Sequence, residues 1–567
     1  MDLTLLAIVG VLVVVAVSGL SPRLGIAAPL LLVAAGVALS YAPGVPTFEV
    51  EPEIILAGVL PPLLYASAVN MPMLDFRRDL KSIGGLSVVV VAGSAVLLGL
   101  IFDRIIPDIG LAEGIALGAV LSPTDAVATS IVKRTGVAPR LVTVLEGESM
   151  LNDASALVLL RSAIAATGVT VSLGGVAWDF VVAVVGAVAI GWVIGLVSVV
   201  VRSRLSDATL NTALSFVVPF AAYAPAEHFG VSGLVAVVTT GLITGYLGPE
   251  VLPAQARGAE TVNWKTIAFL LEGGVFLLVG LEAPGLVEDF QDGDGEWGTL
   301  ALATVIAVAV LLAVRVVYVV MLIFGLRQDI EQTERRLPRV DRIAETLGTP
   351  RGQQMPERRR KRIEMMVERS RADLAFYKKE RLGFRDGAVL TWAGMRGVVT
   401  LAAAQTLPSD TPQRPLLILI AFSVAVATLV IQGGTLSWVV RSLGVEADRE
   451  GQRREELLAL GEILNDVASS RCDDAETEGL DGALVDPLVL TETRKQSRPD
   501  KFTAWAGTDD ETRSERLREY RRLRLAILAD QRGALLEARS TGRFDSTVLA
   551  AVLSRVDAAE MSLNQIE

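Results

Sequence analysis

The sequence of 567 residues is 51% hydrophobic, has a mean hydropathy of +0.50 and carries a formal net charge of −11 at pH 7. This apolar content is far above that of soluble proteins and predicts a polytopic membrane protein. A single cysteine, Cys472, and a single histidine, His228, exclude a disulfide framework and disfavour a zinc or haem enzyme. No nucleic-acid motif is present, and the negative charge lies mostly at the C-terminal end, so no nucleic-acid partner is expected.

Apolar segments of membrane-spanning length follow one another along most of the chain. A helix needs about 17–25 apolar residues to cross a hydrocarbon layer of about 30 Å, and charged or Pro/Gly-rich breaks delimit about thirteen such segments. They are 3–20, 25–41, 53–70, 83–102, 111–132, 140–166, 175–201, 207–224, 229–247, 265–283, 299–325, 386–406 and 415–441. The predicted fold class is therefore an all-α polytopic membrane protein.

The charges of the loops predict an orientation. Basic residues lie in alternate loops, as at Arg77 and Arg78, whereas the intervening loops are acidic, as at 288–296. Because short cytoplasmic loops are enriched in Lys and Arg, this alternation predicts an N-terminus outside and a C-terminus in the cytoplasm.

Two polar regions stand apart from the spans. The interruption at 327–385 falls on the basic side, and its RRRKR run at 358–362 fits either anionic lipid headgroups or orientation alone. The region after residue 445 is rich in Glu, Arg and Leu at helical spacing. We therefore predict a membrane domain at 1–445, which includes the cytoplasmic loop 327–385, and a small helical cytoplasmic tail at 446–567 with a regulatory role.

The fifth predicted span contains the phrase LSPTDAVATS. Pro123 removes a backbone donor and restricts Ser122, which interrupts the helix around Thr124 and Asp125. Broken backbone is tolerated at membrane depth where it lines a cavity or is buried in protein, and such breaks mark binding sites in transporters. The span therefore offers a hydroxyl, a carboxylate and freed carbonyls at one place.

The sixth span, 140–166, carries two acids within an apolar helix. An ionisable group in hydrocarbon is costly unless it is paired or faces a cavity, so it marks an ion or proton pathway by default. Glu148 and Asn152 are four residues apart, as are Ser149 and Asp153, so the pairs lie on adjacent faces of one helix. Burial disfavours the charge of a carboxylate and a bound cation favours it, so a proton and a metal ion compete for such a group.

Two arginines within predicted spans need partners. Arg315 and Arg396 are costly in the membrane unless paired, and the acids of the fifth and sixth spans are the candidates. A pair between Glu148 and Arg315 would leave Asp153 able to titrate. Arg396 has the further possibility of bridging an unwound twelfth span.

The phrases SPTDAVA, GESMLNDASALVL, RVVY and WAGMRGVVTLA resemble those of the NhaP-type and NHE-type monovalent cation/proton antiporters of the CPA1 group. The likeness spreads from the third span to the twelfth and does not extend to the tail. It implies a homodimer with thirteen helices, two six-helix inverted repeats, and crossed, partly unwound fifth and twelfth spans.

The resemblance also implies roles for individual residues. Asp153 would carry the exchanged ion, and Asn152 matches the asparagine that accompanies electroneutral exchange. The remaining assignments are Thr124, Asp125 and Ser149 as ion-site residues, the pair Glu148 and Arg315 as a structural tether, and Arg396 as the charge of the crossing helix. One departure concerns Tyr65 and Ala66, which stand where some relatives carry a glutamate near the ion site.

The function expected from this resemblance is exchange of Na⁺ (or Li⁺) for H⁺ across the plasma membrane by alternating access, without a cofactor. Exchange of K⁺ for H⁺ at the same site is the close alternative. A cation channel is a further one, but channels expose acids as a ring on a continuous pore. An enzyme is disfavoured because no nucleophile–base pair is evident, and His228, at a predicted span end, fits an interfacial histidine better than a pH sensor.

Overall fold

The structure is a computed structural model that describes residues 3–24, 26–43, 51–166, 173–293, 295–347, 354–445, 450–480, 484–495 and 510–564. Every regular element in these ranges is a helix, which confirms the predicted all-α fold class. The chain forms two compact units, of which the first comprises the described parts of 1–248, 259–332 and 378–447. The second comprises the described parts of 249–258, 333–377 and 448–567.

The helices up to residue 292 are α1 (Leu3–Leu24), α2 (Ala28–Ser40), α3 (Leu60–Asn70), α4 (Met73–Arg78), α5 (Leu80–Gly84), α6 (Val91–Ile105), α7 (Leu111–Leu121), α8 (Val127–Arg134), α9 (Pro139–Ala165), α10 (Leu173–Arg202), α11 (Ala208–His228), α12 (Gly233–Val251) and α13 (Ala254–Asp292). Then follow α14 (Trp297–Leu347), α15 (Glu357–Lys379), α16 (Phe384–Trp392), α17 (Val398–Gln405), α18 (Arg414–Thr428), α19 (Gly434–Leu443), α20 (Glu450–Thr477), α21 (Pro487–Arg494), α22 (Asp510–Thr541) and α23 (Ser546–Asn564). π-Helical turns occupy Ile54–Val59, Gly85–Val90 and Leu429–Gly433.

The predicted spans fall on these helices, and two of them are split. The fifth span consists of α7 and α8, and the twelfth consists of α16 and α17. Among the described residues, seven helices are long and apolar enough to cross a membrane, and Ala28–Ser40, Ile54–Asn70 and Leu111–Leu121 are shorter apolar helices. The total of thirteen spans and the inverted repeats remain predictions.

The two broken helices meet at their breaks. Residues 122–125 and 394–397 are not helical, and the backbone N–H of Asp125 donates to the carbonyl oxygen of Met395 over 2.8 Å. Gly397 permits this approach, because an ideal Cβ at that position would lie 1.9 Å from Oδ2 of Asp125. The two breaks therefore contact each other directly.

Small residues hold α7 tightly against α6. An ideal Cβ on Gly114 would lie 2.8 Å from the carbonyl oxygen of Gly99, and one on Gly118 would lie 2.6 Å from that of Ala95. Close backbone approach through small residues is the usual way in which helices associate in a membrane, where lipid offers no hydrophobic drive. This contact anchors the helix that leads into the first break.

The second unit contains the helices of the tail and α15. Its apolar core includes Leu460, Cys472, Leu523 and Ile527, each at most 2% exposed. The tail is therefore helical, as predicted, although its residues 446–449, 481–483, 496–509 and 565–567 lie outside the described ranges. Its cytoplasmic location and regulatory role remain predictions.

The segment 249–258 belongs to this second unit. Arg257 forms an ion pair with Asp557, and Arg539 lies 3.6 Å from Glu250. The tail thus contacts the last turn of α12 and the first turn of α13.

Candidate functional site

A cavity of about 230 Å³ opens beside the two breaks. Helices α3, α8, α9, α13 and α17 supply its walls together with the first break. Its acidic and hydroxyl lining comprises Ser67, Thr124, Asp125, Thr129, Ser130, Glu146, Ser149, Asp153, Glu272 and Thr400, with Lys133 as the basic member. Apolar side chains such as Leu60, Leu64 and Met150 complete it. Oxygen atoms are the ligands that hard cations prefer, so the lining is suited to a cation.

The structure brings together four of the residues that the sequence singled out for ion binding. Asp153 and Ser149 on α9 line the cavity, and so do Thr124 and Asp125 from the first break. Asp153 and Ser149 are each 7% exposed and Thr124 is 6% exposed. Two carboxylates and two hydroxyls therefore line one small space.

Glu148 lies on the other face of α9 and contacts Arg315. The guanidinium of Arg315 donates hydrogen bonds to both carboxylate oxygens of Glu148, from Nη1 to Oε1 and from Nη2 to Oε2, the latter over 2.8 Å. Arg315 Nε donates to the carbonyl oxygen of Leu390 over 2.9 Å. The two charged side chains are each 2% exposed, so each provides the compensation that burial of the other requires.

Thr124 is held between Glu148 and Asn152. Its hydroxyl donates to Oε1 of Glu148 over 3.1 Å and accepts from Nδ2 of Asn152 over 2.7 Å. The same Nδ2 atom lies 3.3 Å from the carbonyl oxygen of Thr124. Asn152 is thus placed behind the first break, where it fixes Thr124, and it is not among the residues that line the cavity.

Arg396 corrects one expectation. We expected an acid as its partner, but within the described residues it forms no ion pair. Its Nε donates to the carbonyl oxygen of Leu121 over 2.9 Å, its Nη1 donates to that of Gly394, and its backbone N–H donates to the hydroxyl of Thr428 over 3.0 Å. The breaks leave carbonyl groups without helical partners, and these supply the acceptors. Arg396 therefore bridges the ends of both broken helices.

The N-terminal end of α9 is fixed by a second buried ion pair. Arg140, which is 2% exposed, donates to Asp79 over 2.7 Å and to the carbonyl oxygen of Glu380 over 2.7 Å. Together with Glu148, it holds the helix that carries Asp153 at two points.

Sequence reasoning missed several polar residues of the cavity, among them Glu272, Thr129 and Thr400. Glu272 lies in the apolar stretch AFLLEGGVFLLVG of α13, so the rule that drew attention to Asp153 applies to it equally. Thr129 and Thr400 are 4% and 1% exposed, and their hydroxyls have no hydrogen-bond partner among the described residues. Buried polar groups are normally paired, so these two hydroxyls are available to water or to an ion.

Tyr65, which stands where some relatives have an acid, is not among the residues that line this space. It is buried against Trp264, with the ring centroids 5.1 Å apart. Glu272, from a different helix, adds a further carboxylate to the wall, beside Asp125, Glu146 and Asp153.

Two broken helices that meet beside an acid-lined cavity are typical of ion transporters of the membrane. Comparison with known proteins agrees with this class. The family model for the sodium/hydrogen exchanger, transmembrane, matches residues 9–442. The chain belongs to the sodium/hydrogen exchanger family.

Similar proteins include one from Mycobacterium tuberculosis named as an uncharacterized Na⁺/H⁺ exchanger, which is 30% identical over 99% of this chain and 95% of its own length. The Na⁺/H⁺ antiporter ApNhaP of Aphanothece halophytica is 27% identical over 77% of this chain and 74% of its own. The structure of the sodium proton antiporter MjNhaP1 from Methanocaldococcus jannaschii shares the fold, with a TM-score of 0.51 at 15% identity over 78% of this chain and 99% of that one.

The family membership settles the broad class. The chain is a multi-pass membrane transporter and not an enzyme, and it needs no cofactor because the exchanged ions are its substrates. The resemblance to NhaP-type and NHE-type antiporters is confirmed.

Proposed function

We propose that this protein exchanges Na⁺ (or Li⁺) for H⁺ across the plasma membrane, with Asp153 as the group that carries either ion. The observation that carries the proposal is the convergence of Asp153, Ser149, Thr124 and Asp125 on one cavity at the breaks. The names of its relatives support sodium as the cation.

The chemistry follows from competition at one carboxylate. A proton neutralises Asp153 when no cation is present, and a bound cation displaces the proton because it stabilises the charged form. Ser149 and the other hydroxyls of the cavity replace part of the hydration shell of the ion. Release of the cation then favours uptake of a proton again, which completes the exchange.

Asp125 and Glu272 contribute to the same balance. Both carboxylates line the cavity with Asp153, and negative charge nearby attracts a cation and disfavours a second uncompensated carboxylate. We assign to Asp125 a role in binding the ion and in positioning the break.

The residues behind the cavity keep its geometry without carrying the ion. The bonds of Glu148 and Asn152 fix Thr124, and the bonds of Arg396 fix both breaks. Because Asn152 is neutral, it adds no further charge to the site. Asp153 then carries one cation in one direction and one proton in the other, so exchange is electroneutral.

Alternating access completes the cycle. The cavity would open to one side of the membrane at a time as the helices that carry the breaks move against the rest of a homodimer, in line with two inverted repeats. The N-terminus would lie outside and the C-terminus in the cytoplasm.

The test uses purified protein in liposomes that contain a pH-sensitive dye. Addition of Na⁺ or Li⁺ should drive proton movement in the wild type, and Asp153→Asn should abolish it. Potassium is added in a parallel sample, and a response to K⁺ as strong as that to Na⁺ would assign K⁺/H⁺ exchange to the same site.

A membrane-potential dye in the same liposomes tests electroneutrality. A potential generated by exchange alone would refute it, and ion currents far above carrier turnover would indicate a channel.

We further propose that the tail regulates exchange in response to a ligand that it binds. The ion pair of Arg257 with Asp557 supports this, because Arg257 lies in the first turns of α13, the helix that supplies Glu272. Asp557→Asn should change the pH profile of exchange in the same sense as deletion of 446–567. An unchanged profile in both variants would refute the proposal.

A further inference from the structure

An ion pair whose side chains are partly exposed lines the cavity. Lys133 on α8 pairs with Glu146 on α9, and both residues line the same space as Asp153. Their side chains are 52% and 28% exposed, whereas Asp153 is 7% exposed. Lys133 is the penultimate residue of α8, so the pair lies where the chain leaves the apolar region.

Polar groups continue from this pair to the ion site. Glu146, Ser149 and Asp153 are spaced at i, i+3 and i+7 on α9, which places them on one helix face. On the facing helix, Thr129 lies one turn before Lys133 and keeps a buried hydroxyl without a hydrogen-bond partner among the described residues. Their oxygen atoms form a row along the cavity from the Lys133–Glu146 pair to Asp153.

An ammonium group resembles the transported ion in charge, and Lys133 carries it on a flexible tether. Its bond to Glu146 fills the position that an arriving monovalent cation would take beside that carboxylate. Because both side chains are partly exposed, the pair is weak and easily exchanged.

We propose that Glu146 is an access site for the transported cation and that Lys133 is a tethered competitor for it. The cation first replaces the ammonium of Lys133 at Glu146 and then moves along Ser149 to Asp153. This inference rests on the proposed exchange function and adds to it a second binding position with its own competitor.

The experiment measures the apparent KM for Na⁺ in vesicles of both orientations. The face that exposes Lys133 is predicted to be cytoplasmic, so inside-out vesicles present it to the added cation. Lys133→Met should lower the apparent KM on this face by about two- to fivefold, the range expected for loss of one exposed ion pair. Glu146→Gln should raise it by a similar factor, and the opposite face should show neither change.

A double variant separates competition from a general effect of charge. In the Glu146→Gln background, Lys133→Met should produce a much smaller change, because the competitor has lost its site. Lys133→Arg keeps the charge and should stay close to the wild type. Lys133→Gln is a second neutral variant should the methionine variant assemble poorly.

The matched control is Lys81→Met. Lys81 forms an exposed ion pair with Asp329 at 3.0 Å, its side chain is 82% exposed, and it does not line the cavity. This variant should leave the KM for Na⁺ unchanged.

The proposal is overturned if Lys133→Met and Lys81→Met give the same KM. It is also overturned if Lys133→Met and Glu146→Gln shift the KM in the same direction with a lowered melting temperature, which would indicate a structural brace. If Asp153→Asn loses exchange but the Lys133 variants keep the KM of the wild type, this inference is wrong and the proposed function still stands. A wild type without cation-driven proton movement removes both.

Discussion

Replacement of Arg315 by methionine removes the cation that compensates Glu148. Both side chains are 2% exposed, and Glu148 retains only the hydroxyl of Thr124 as a described side-chain partner at 3.1 Å. Removal of one member of a buried ion pair typically costs about 3–5 kcal/mol, because the other charge is left in a medium that solvates it poorly. We expect Arg315→Met to lose stability in this range and to lose exchange, because Glu148, one of the two side chains that hold Thr124, is left without its buried partner.

The measurement is the temperature at which half of the purified protein leaves the monodisperse peak in detergent. Membrane proteins of this size often unfold irreversibly, so the value is an apparent melting temperature. At about 2 °C per kcal/mol, the loss corresponds to about 6–10 °C. The double variant Glu148→Leu/Arg315→Met should recover part of it, because no buried charge is then left unpaired.

The matched control is the exposed pair of Arg161 and Glu227, which lies at 2.8 Å with side chains 57% and 25% exposed. Exposed pairs contribute about 0–1 kcal/mol, so Arg161→Met should lower the melting temperature by about 2 °C at most. Equal losses in Arg315→Met and Arg161→Met would refute the argument that burial makes the Glu148 pair indispensable.

Three further predictions follow from particular contacts. In the liposome assay, Gly397→Ala should abolish exchange, because an added Cβ would lie 1.9 Å from Oδ2 of Asp125 in the opposite break. The control Gly434→Ala should exchange normally, because an added Cβ there would have no atom within 4 Å. Asn152→Asp should lower the melting temperature and the rate of exchange. The amide nitrogen that lies 3.3 Å from the carbonyl oxygen of Thr124 would be replaced by an oxygen, which cannot donate to that carbonyl. An unchanged rate of exchange would refute this prediction. Burial raises the pKa of the Cys472 thiol, and the residue is 2% exposed. A maleimide should therefore react with it slowly at neutral pH in the native protein and quickly after unfolding. Rapid reaction with the native protein would contradict this prediction.

The first break could be predicted from sequence, because a proline after Ser122 acts locally. The second break has no proline, and the expectation of an unwound twelfth span came from the resemblance to the antiporter family. The hydrogen bond from Asp125 to Met395 joins residues far apart in the chain, so no local pattern could predict it.

Of the two possibilities for Arg396, the acid partner was wrong for an identifiable reason, whereas the bridge across the broken helix is what the structure shows. A search for partners among charged side chains omits carbonyl groups, yet each break frees several of them, and these carbonyls accept the bonds of Arg396. A broken helix should therefore be counted as a source of acceptors when buried cations are paired from sequence.

Glu272 could be recognised in the sequence, but its place in the structure could not be predicted. Its place in an apolar stretch was visible, but the side of α13 on which it lies depends on packing against other helices. The structure places it on the cavity wall, near Asp125 and Asp153, where it supplies a carboxylate that the third span lacks.

The central claim is that Asp153 holds either a proton or the cation, and proton release on cation binding tests it most directly. Purified protein in weakly buffered detergent solution is mixed with Na⁺ over a range of pH, and a pH-sensitive dye records the protons that are released. The wild type should release about one proton per bound cation at the pH where the free site is protonated, and Asp153→Asn should release none. Release from Asp153→Asn equal to that from the wild type, or Na⁺ binding without proton release at every pH, would contradict the claim.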